Sequence, residues 1–141
     1  MDTSQPEYFH WAGERFAVSD LLADVEGGKL PARSLRLDEA FVEQYGSTVL
    51  ALDRTRRDED QWGSLYVRIR SQHARQLPGE VLDKPVVLLH VGRNRGFLNF
   101  GDGPNYVLGD GNHRMARAFL DGLGGRDAWL LTEEQSERYR C

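Results

Sequence analysis

Six consecutive residues, Gly109–Arg114 with the sequence GDGNHR, carry the side chains best suited to chemistry in this chain. Gly109 and Gly111 permit positive φ angles and leave room for a ligand close to the backbone. His113 and Arg114 follow at once and add hydrogen-bond donors. Backbone amides at the start of a helix point toward one spot, at the positive end of the helix dipole. The stretch therefore predicts a binding site for an anion, most naturally a phosphate.

A short strand and an amphipathic helix would position this turn. Tyr106–Leu108 is an apolar run that indicates a strand, and Asp110 and Asn112 are suitable N-cap residues for a following helix. The apolar residues after the turn recur at helical spacing and predict one buried face: Met115, Ala116, Phe119, Leu120 and Leu123. A capped helix with an incidental His-Arg pair would explain the same residues, although turn chemistry alone does not require a cationic pair there.

A second strand and a long connection should lie beside the turn. Val86–Val91 is the most apolar run of the chain and is partly β-branched, so it predicts a buried strand that pairs with Tyr106–Leu108. The connection Gly92–Asn105 is long and rich in glycine and asparagine. Loops of this length beside a site often bind ligands, so Arg93 and Arg95 are further candidates for contacting phosphates.

Other elements follow from cap and breaker residues. In chain order they are a helix Asp20–Val25 with Ser19 as N-cap, ended by Gly27 and Gly28; a strand Ser34–Leu37; a helix Asp38–Gly46 stopped by Gly46; a helix over 59–76; a strand Ala128–Leu131; and a terminal helix opened by a capping box at Thr132–Gln135. Residues 1–13 are expected to form an N-terminal tail, and residues 14–141 a single domain.

Composition limits the class of protein. The chain has 141 residues, of which 40% are hydrophobic and 28% charged, as expected for a globular domain. The formal net charge of −4 argues against a broad nucleic-acid-binding surface. No apolar run is long enough to cross a membrane, so we expect no membrane partner. A single cysteine, Cys141, and an acidic N-terminus without a signal-peptide core predict a cytoplasmic protein.

The GDGNHR stretch, set between a strand and an alanine-containing helix, resembles the ParB/sulfiredoxin fold superfamily, including its members with an Asp-Gly-(Asn/His)-His-Arg motif. The likeness covers residues from about 80 to about 140. It implies an α/β (α+β) fold with a small mixed sheet flanked by helices. It also implies that the phosphates of a nucleotide, ATP, ADP or another NTP, lie on Gly109–Arg114.

The activities in this superfamily differ, and two departures narrow them. Sulfiredoxins carry a nucleophilic cysteine just before the His-Arg pair, where this chain has Asn112, which cannot do that chemistry. ParB clamps continue into DNA-binding and dimerisation regions, whereas this chain ends soon after the core. We therefore expect a nucleotide-dependent phosphotransferase or NTP hydrolase with a small-molecule or protein acceptor. Phosphoryl transfer needs positioned cations, usually Mg²⁺, and a carboxylate.

Catalytic roles would then fall to Asp110, as Mg²⁺ ligand or base, and to His113. The candidates for a second carboxylate are Asp20, Asp24, Asp38 and Asp53. Two alternatives stay open. One is a regulator that binds a nucleotide or DNA without chemistry. The other is a ParB-like nuclease that binds nucleic acid through the most basic region of the chain: Arg54, Arg56, Arg57, Arg68, Arg70 and Arg75.

Overall fold

The computed structural model describes residues 8–55 and 84–141. The fold is mixed α+β, as the sequence predicts. The described residues form two compact units: the first contains those up to Arg33, Val87–Asp110 and Trp129–Cys141, and the second those within Ser34–Val86 and Gly111–Ala128. The predicted helix over 59–76 and most of the basic region lie outside the described residues.

The elements in chain order are β1 (Tyr8–Trp11), β2 (Glu14–Ala17), α1 (Val18–Glu26), β3 (Arg33–Leu37), α2 (Glu39–Thr55), β4 (Val86–His90), β5 (Leu98–Asn99), β6 (Pro104–Asp110), α3 (Asn112–Asp121), β7 (Arg126–Leu130) and α4 (Glu133–Glu137). Five of the strands form one sheet in the order β3-β7-β4-β6-β5, and β1 and β2 form a separate hairpin. β7 begins in the second unit and ends in the first.

The first unit is built around β4 and β6. These strands pair antiparallel, with Leu88 opposite Leu108 and Leu89 opposite Val107. All four residues are fully buried, because a strand covered on both faces has no polar side. This confirms the buried strand at 86–91 and its predicted pairing with Tyr106–Leu108. The long connection 92–105 contains the short strand β5, which pairs antiparallel with β6.

The β1–β2 hairpin belongs to the same unit and begins at Tyr8, so residues 8–13, assigned from the sequence to the N-terminal segment 1–13, form its first strand and turn. Phe9 and Phe16 face each other across the two strands and are buried. β2 leads directly into α1. The N-cap of α1 is Ala17, with a non-helical ψ of 88°, and not the predicted Ser19, which is the second residue of the helix. The Ala17 amide donates to the carbonyl of Tyr139 at 2.7 Å.

In the second unit, α2 continues well beyond the predicted end of the helix. Asp38 caps it, since the Asp38 carboxylate accepts a hydrogen bond from the Phe41 amide at 2.8 Å. The prediction that Gly46 stops the helix is wrong: the helix runs from Glu39 to Thr55. A Cβ on Gly46 would overlap the Cβ of Phe119 on α3, so the glycine serves close helix packing instead of termination.

The terminal helix α4 has the predicted capping box. The Thr132 side chain accepts from the Gln135 amide, and the Gln135 side chain accepts from the Thr132 amide. Gln135 also donates to the carbonyl of Pro31 at 3.1 Å. The buried hydroxyl of Ser136 accepts from the His90 amide at 3.0 Å, which fixes α4 beside β4.

Candidate functional site

The predicted strand–glycine–helix turn is present, and a single residue, Gly111, separates the strand from the helix. β6 ends at Asp110, Gly111 is the N-cap, and α3 begins at Asn112. Gly111 has a φ of 99°, in the left-handed region that favours glycine. The N-cap roles predicted for Asp110 and Asn112 are therefore wrong. Asp110 belongs to the strand and Asn112 is the first helical residue, because only the glycine between them adopts the required turn.

The two glycines leave less room than the sequence predicts. Gly109 lies inside β6 and is not among the described residues with positive φ. A Cβ there would overlap the end of the Leu89 side chain and stand 2.9 Å from Leu89 Cγ. A Cβ on Gly111 would stand 2.5 Å from Cγ1 of Val86. On these sides, the space that the missing side chains leave is filled by the protein's own core.

Arg114 is half-buried in the first turn of α3, and hydrogen bonds hold its guanidinium. Its Nη1 donates to the carbonyl oxygens of Lys84 at 2.9 Å and Pro85 at 3.2 Å. Its Nη2 lies 3.1 Å from the point where a Cβ of Gly111 would stand. The guanidinium is thus held directly beside the N-cap of α3, so the positive charge sits at the start of the helix.

The other predicted residues of the turn lie close to it along the chain. Asp110, Asn112 and His113 are half-buried, and His113 occupies the second position of α3. The side-chain oxygen of Asn112 accepts a hydrogen bond from the hydroxyl of Tyr45. Gly111, Asn112, His113 and Arg114 belong to the second unit, whereas Gly109 and Asp110, the last two residues of β6, belong to the first.

Helix α3 also differs from the other described helices in the charges of its first turn. α1, α2 and α4 each carry an acidic residue there, at Asp20, Glu39 and Glu133 respectively. The first turn of α3 contains no acid. Negative charge is favourable at the start of a helix. Because the first turn of α3 contains no acid, this position suits an anionic ligand.

Arg93 and Arg95 belong to the first unit, in the connection between β4 and β5. Arg95 pairs with Glu14, with 3.3 Å between Nη2 and Oε1, and its carbonyl accepts from Nε1 of Trp11 at 3.0 Å. Arg93 is exposed. Arg95 therefore has a structural role in joining this connection to the β1–β2 hairpin.

Two of the carboxylates that the sequence offered as a second catalytic acid have structural partners. Asp24 accepts a hydrogen bond from the hydroxyl of Tyr139 at 2.7 Å, and Asp38 caps α2. Asp20 is exposed in the first turn of α1. Within residues 8–55 and 84–141 there is no group of three His, Cys, Asp or Glu side chains that could hold a metal ion.

Sequence reasoning missed Tyr45, the residue that contacts Asn112. Its ring stacks on Phe41, one helical turn earlier, with ring centroids 5.8 Å apart and an angle of 7° between the planes. Two aromatic residues at this spacing on a predicted helix indicate a buried stripe. The sequence does not show, however, that the tyrosine hydroxyl donates a hydrogen bond to the first residue of another helix.

Comparisons with protein-family models, curated proteins and solved structures returned no match. In the part of the chain that is described, no helix has the length and apolar character needed to span a membrane.

Proposed function

We propose that this protein binds a nucleotide through its phosphates at the start of α3 and uses it for phosphoryl transfer or hydrolysis. One observation carries the proposal: the guanidinium of Arg114 is held beside the glycine N-cap of α3. Asn112 and His113 occupy the first two positions of the same helix. Backbone amides, an imidazole and a guanidinium are the donors that phosphate-binding helix starts use.

The electrostatics of the turn support an anionic ligand. The first turn of α3 contains no acid. An anion near the positive end of a helix gains about 0.3–1 kcal/mol. A phosphate bound there would accept hydrogen bonds from the first helical amides and lie beside the Arg114 guanidinium, which also donates to the carbonyls of Lys84 and Pro85.

The proposal extends to the fold and the reaction. A ParB/sulfiredoxin-like arrangement is supported by the antiparallel pairing of β4 with β6 and by the direct passage from β6 through Gly111 into α3. Asp110, at the end of β6, would orient the nucleophile or contact Mg²⁺. The ion would arrive with the nucleotide, since Mg²⁺ is usually held by one or two carboxylates plus phosphate oxygens. His113 would donate to the transferred group. The proposed location is the cytoplasm.

Thermal unfolding in the presence of nucleotides tests the binding step. ATP, ADP, CTP and GTP are added with and without Mg²⁺ to the wild type, to Arg114→Ala and to the matched control Arg117→Ala. Arg117 is a cation of the same helix, but it pairs with Asp121 at 2.6 Å near the other end. A ligand at about a hundred times its Kd should raise the Tm of the wild type by roughly 5–10 °C.

The variants decide where the nucleotide binds. Arg117→Ala should keep the ligand-induced rise in Tm, and Arg114→Ala should lose most of it relative to its own ligand-free Tm. An equal rise in both variants would place the ligand elsewhere, and no rise with any nucleotide would contradict the proposal. Chromatography of the nucleotide after incubation then separates turnover from binding alone, and Asp110→Asn should abolish turnover while retaining binding.

A further inference from the structure

The hydrogen bond between Tyr45 and Asn112 connects the core of the second unit to the start of α3. Tyr45 is 7% exposed, and its ring is held on one side by the stacked ring of Phe41. Its hydroxyl donates to the side-chain oxygen of Asn112. The next residue, Gly46, allows α2 to approach α3 so closely that its missing side chain would overlap Phe119. This close approach brings the hydroxyl of a helix-interior tyrosine to the first residue of the neighbouring helix.

We propose that Tyr45 is a positioning residue for the anion site: it orients the Asn112 amide so that the NH₂ group serves as a donor to the bound phosphate. This inference rests on the proposed function. A carboxamide carries an acceptor oxygen and a donor nitrogen on one carbon, in one plane and pointing in different directions. When the oxygen is engaged by Tyr45, rotation of the group is fixed and the nitrogen is turned away from the tyrosine.

The position of Asn112 makes this orientation useful. As the first residue of α3, Asn112 lies beside the N-cap, where a ligand held by the first helical amides would bind. An asparagine free to rotate would present its oxygen to an anion for part of the time, and that arrangement is repulsive. A buried tyrosine hydroxyl needs an acceptor in any case, so a purely structural role for the hydrogen bond is the competing explanation.

Asn112→Asp separates the two explanations. The carboxylate has nearly the same shape and still accepts the hydrogen bond from Tyr45, but it has no NH₂ group and carries a negative charge. An acid at the first position of a helix stabilises the fold through the helix dipole. We therefore expect Asn112→Asp to keep or raise the ligand-free Tm and to weaken nucleotide binding at least tenfold. A residue important only for folding would not move stability and affinity in opposite directions.

The complete test is a double-mutant cycle in ligand affinity. Calorimetric titration with ATP and Mg²⁺, and separately with inorganic pyrophosphate, is performed on the wild type, Tyr45→Phe, Asn112→Ala and the double variant. Loss of one hydrogen bond should weaken binding about three- to tenfold. The double variant should bind no more weakly than the weaker single variant, because both substitutions remove the same oriented donor. Phe41→Leu, which changes the packing around Tyr45 but retains the hydroxyl, should bind like the wild type.

The outcomes distinguish this inference from the proposed function. Wild-type affinity in Tyr45→Phe, or independent and additive losses in the two single variants, would overturn the positioning role and leave the anion site intact. Unchanged affinity in Asn112→Asp would also overturn it, and this variant keeps the test decisive should Tyr45→Phe fail to fold. If neither ATP nor pyrophosphate binds the wild type, both the inference and the proposed function fail.

Discussion

Gly46 of α2 lies directly against Phe119 of α3, with no room between them for a side chain on the glycine. A Cβ at Gly46 would overlap the Cβ of Phe119 and stand 3.0 Å from the carbonyl oxygen of Met115. Both obstacles are close to the backbone, so a rotamer change of Phe119 cannot remove them. The closeness of the two helices is thus set by one residue that lacks a side chain.

Gly46→Ala should therefore destabilise the protein, although alanine is the better helix former. The helix propensity gain is about 1 kcal/mol, whereas overpacking a buried contact costs typically about 1–3 kcal/mol. The difference is a net loss of up to about 2 kcal/mol in the free energy of unfolding, measured by urea titration. Ser47→Ala at the neighbouring exposed position is the control and should be neutral or slightly stabilising. Equal stability gains in the two variants would contradict the close packing.

Two substitutions in the hairpin turn between β1 and β2 should change the stability of the protein in opposite directions. Its two loop residues, Ala12 and Gly13, have φ values of 50° and 82°, the positive pair that a type I′ turn requires. Ala12→Asn would create the favoured Asn-Gly pair, and we expect it to stabilise the protein by about 0.5–1 kcal/mol. Gly13→Ala should cost about 1 kcal/mol through the backbone alone, because no atom lies within 4 Å of the added Cβ. Urea titrations should give these signs with unchanged m values, and the reverse signs would exclude this turn type.

Local sequence signals predicted the elements that depend on neighbouring residues. The buried strand beginning at Val86 needs only an apolar run, and the capping box at Thr132 needs only two polar residues three positions apart. The prediction that Gly46 ends α2 is wrong because it rests on a local rule, that a glycine at the end of an apolar pattern usually stops a helix. The contact that overrides this rule comes from Phe119, on a helix far along the chain, and no local pattern shows it.

The candidate site shows the same limit. The order of strand, glycine and helix around Gly111 could be predicted, because each part is a local signal. The packing role of Gly109 could not be predicted. Its missing Cβ makes room for Leu89 of the paired strand, and this contact depends on the register between β4 and β6. Tyr45 could not be predicted either, since its role depends on how closely α2 approaches α3.

Alkaline pH should destabilise the protein through Tyr139. Burial, followed by the hydrogen bond to Asp24, raises the pKa of the Tyr139 hydroxyl from 10.0 to about 12. Below pH 10 the hydroxyl is protonated in both the folded and the unfolded state, and this stabilisation is fully present. Between pH 10 and about 12 the unfolded state loses the proton first, so the free energy of unfolding should fall as the pH rises. Burial raises the pKa of Tyr106 to about 12 as well, which adds to the same slope.

Urea titrations from pH 8 to pH 12 measure this effect. Tyr139→Phe should reduce the fall in stability between pH 10 and pH 12, because the variant has no proton to lose at that position. The same substitution at Tyr8, a tyrosine that is 43% exposed, is the matched control for the loss of a hydroxyl. A slope in Tyr139→Phe as steep as in the wild type would show that the fall in stability has another origin.

Gly109→Ala tests whether this glycine of the turn serves packing or a ligand. A Cβ at position 109 would overlap the side chain of Leu89 on the neighbouring strand β4, so we expect the variant to lose about 1–3 kcal/mol in the free energy of unfolding. Leu89→Ala removes the obstructing Cγ and Cδ atoms but leaves a cavity, which costs about 2–5 kcal/mol by itself. In the double variant the added Cβ has space. The double variant should therefore lose less free energy of unfolding than the sum of the two single-variant losses, with a coupling of about 0.5–3 kcal/mol. Strict additivity would show that Gly109 is not a packing glycine, and the room beside it would then be available to the phosphates of the proposed nucleotide.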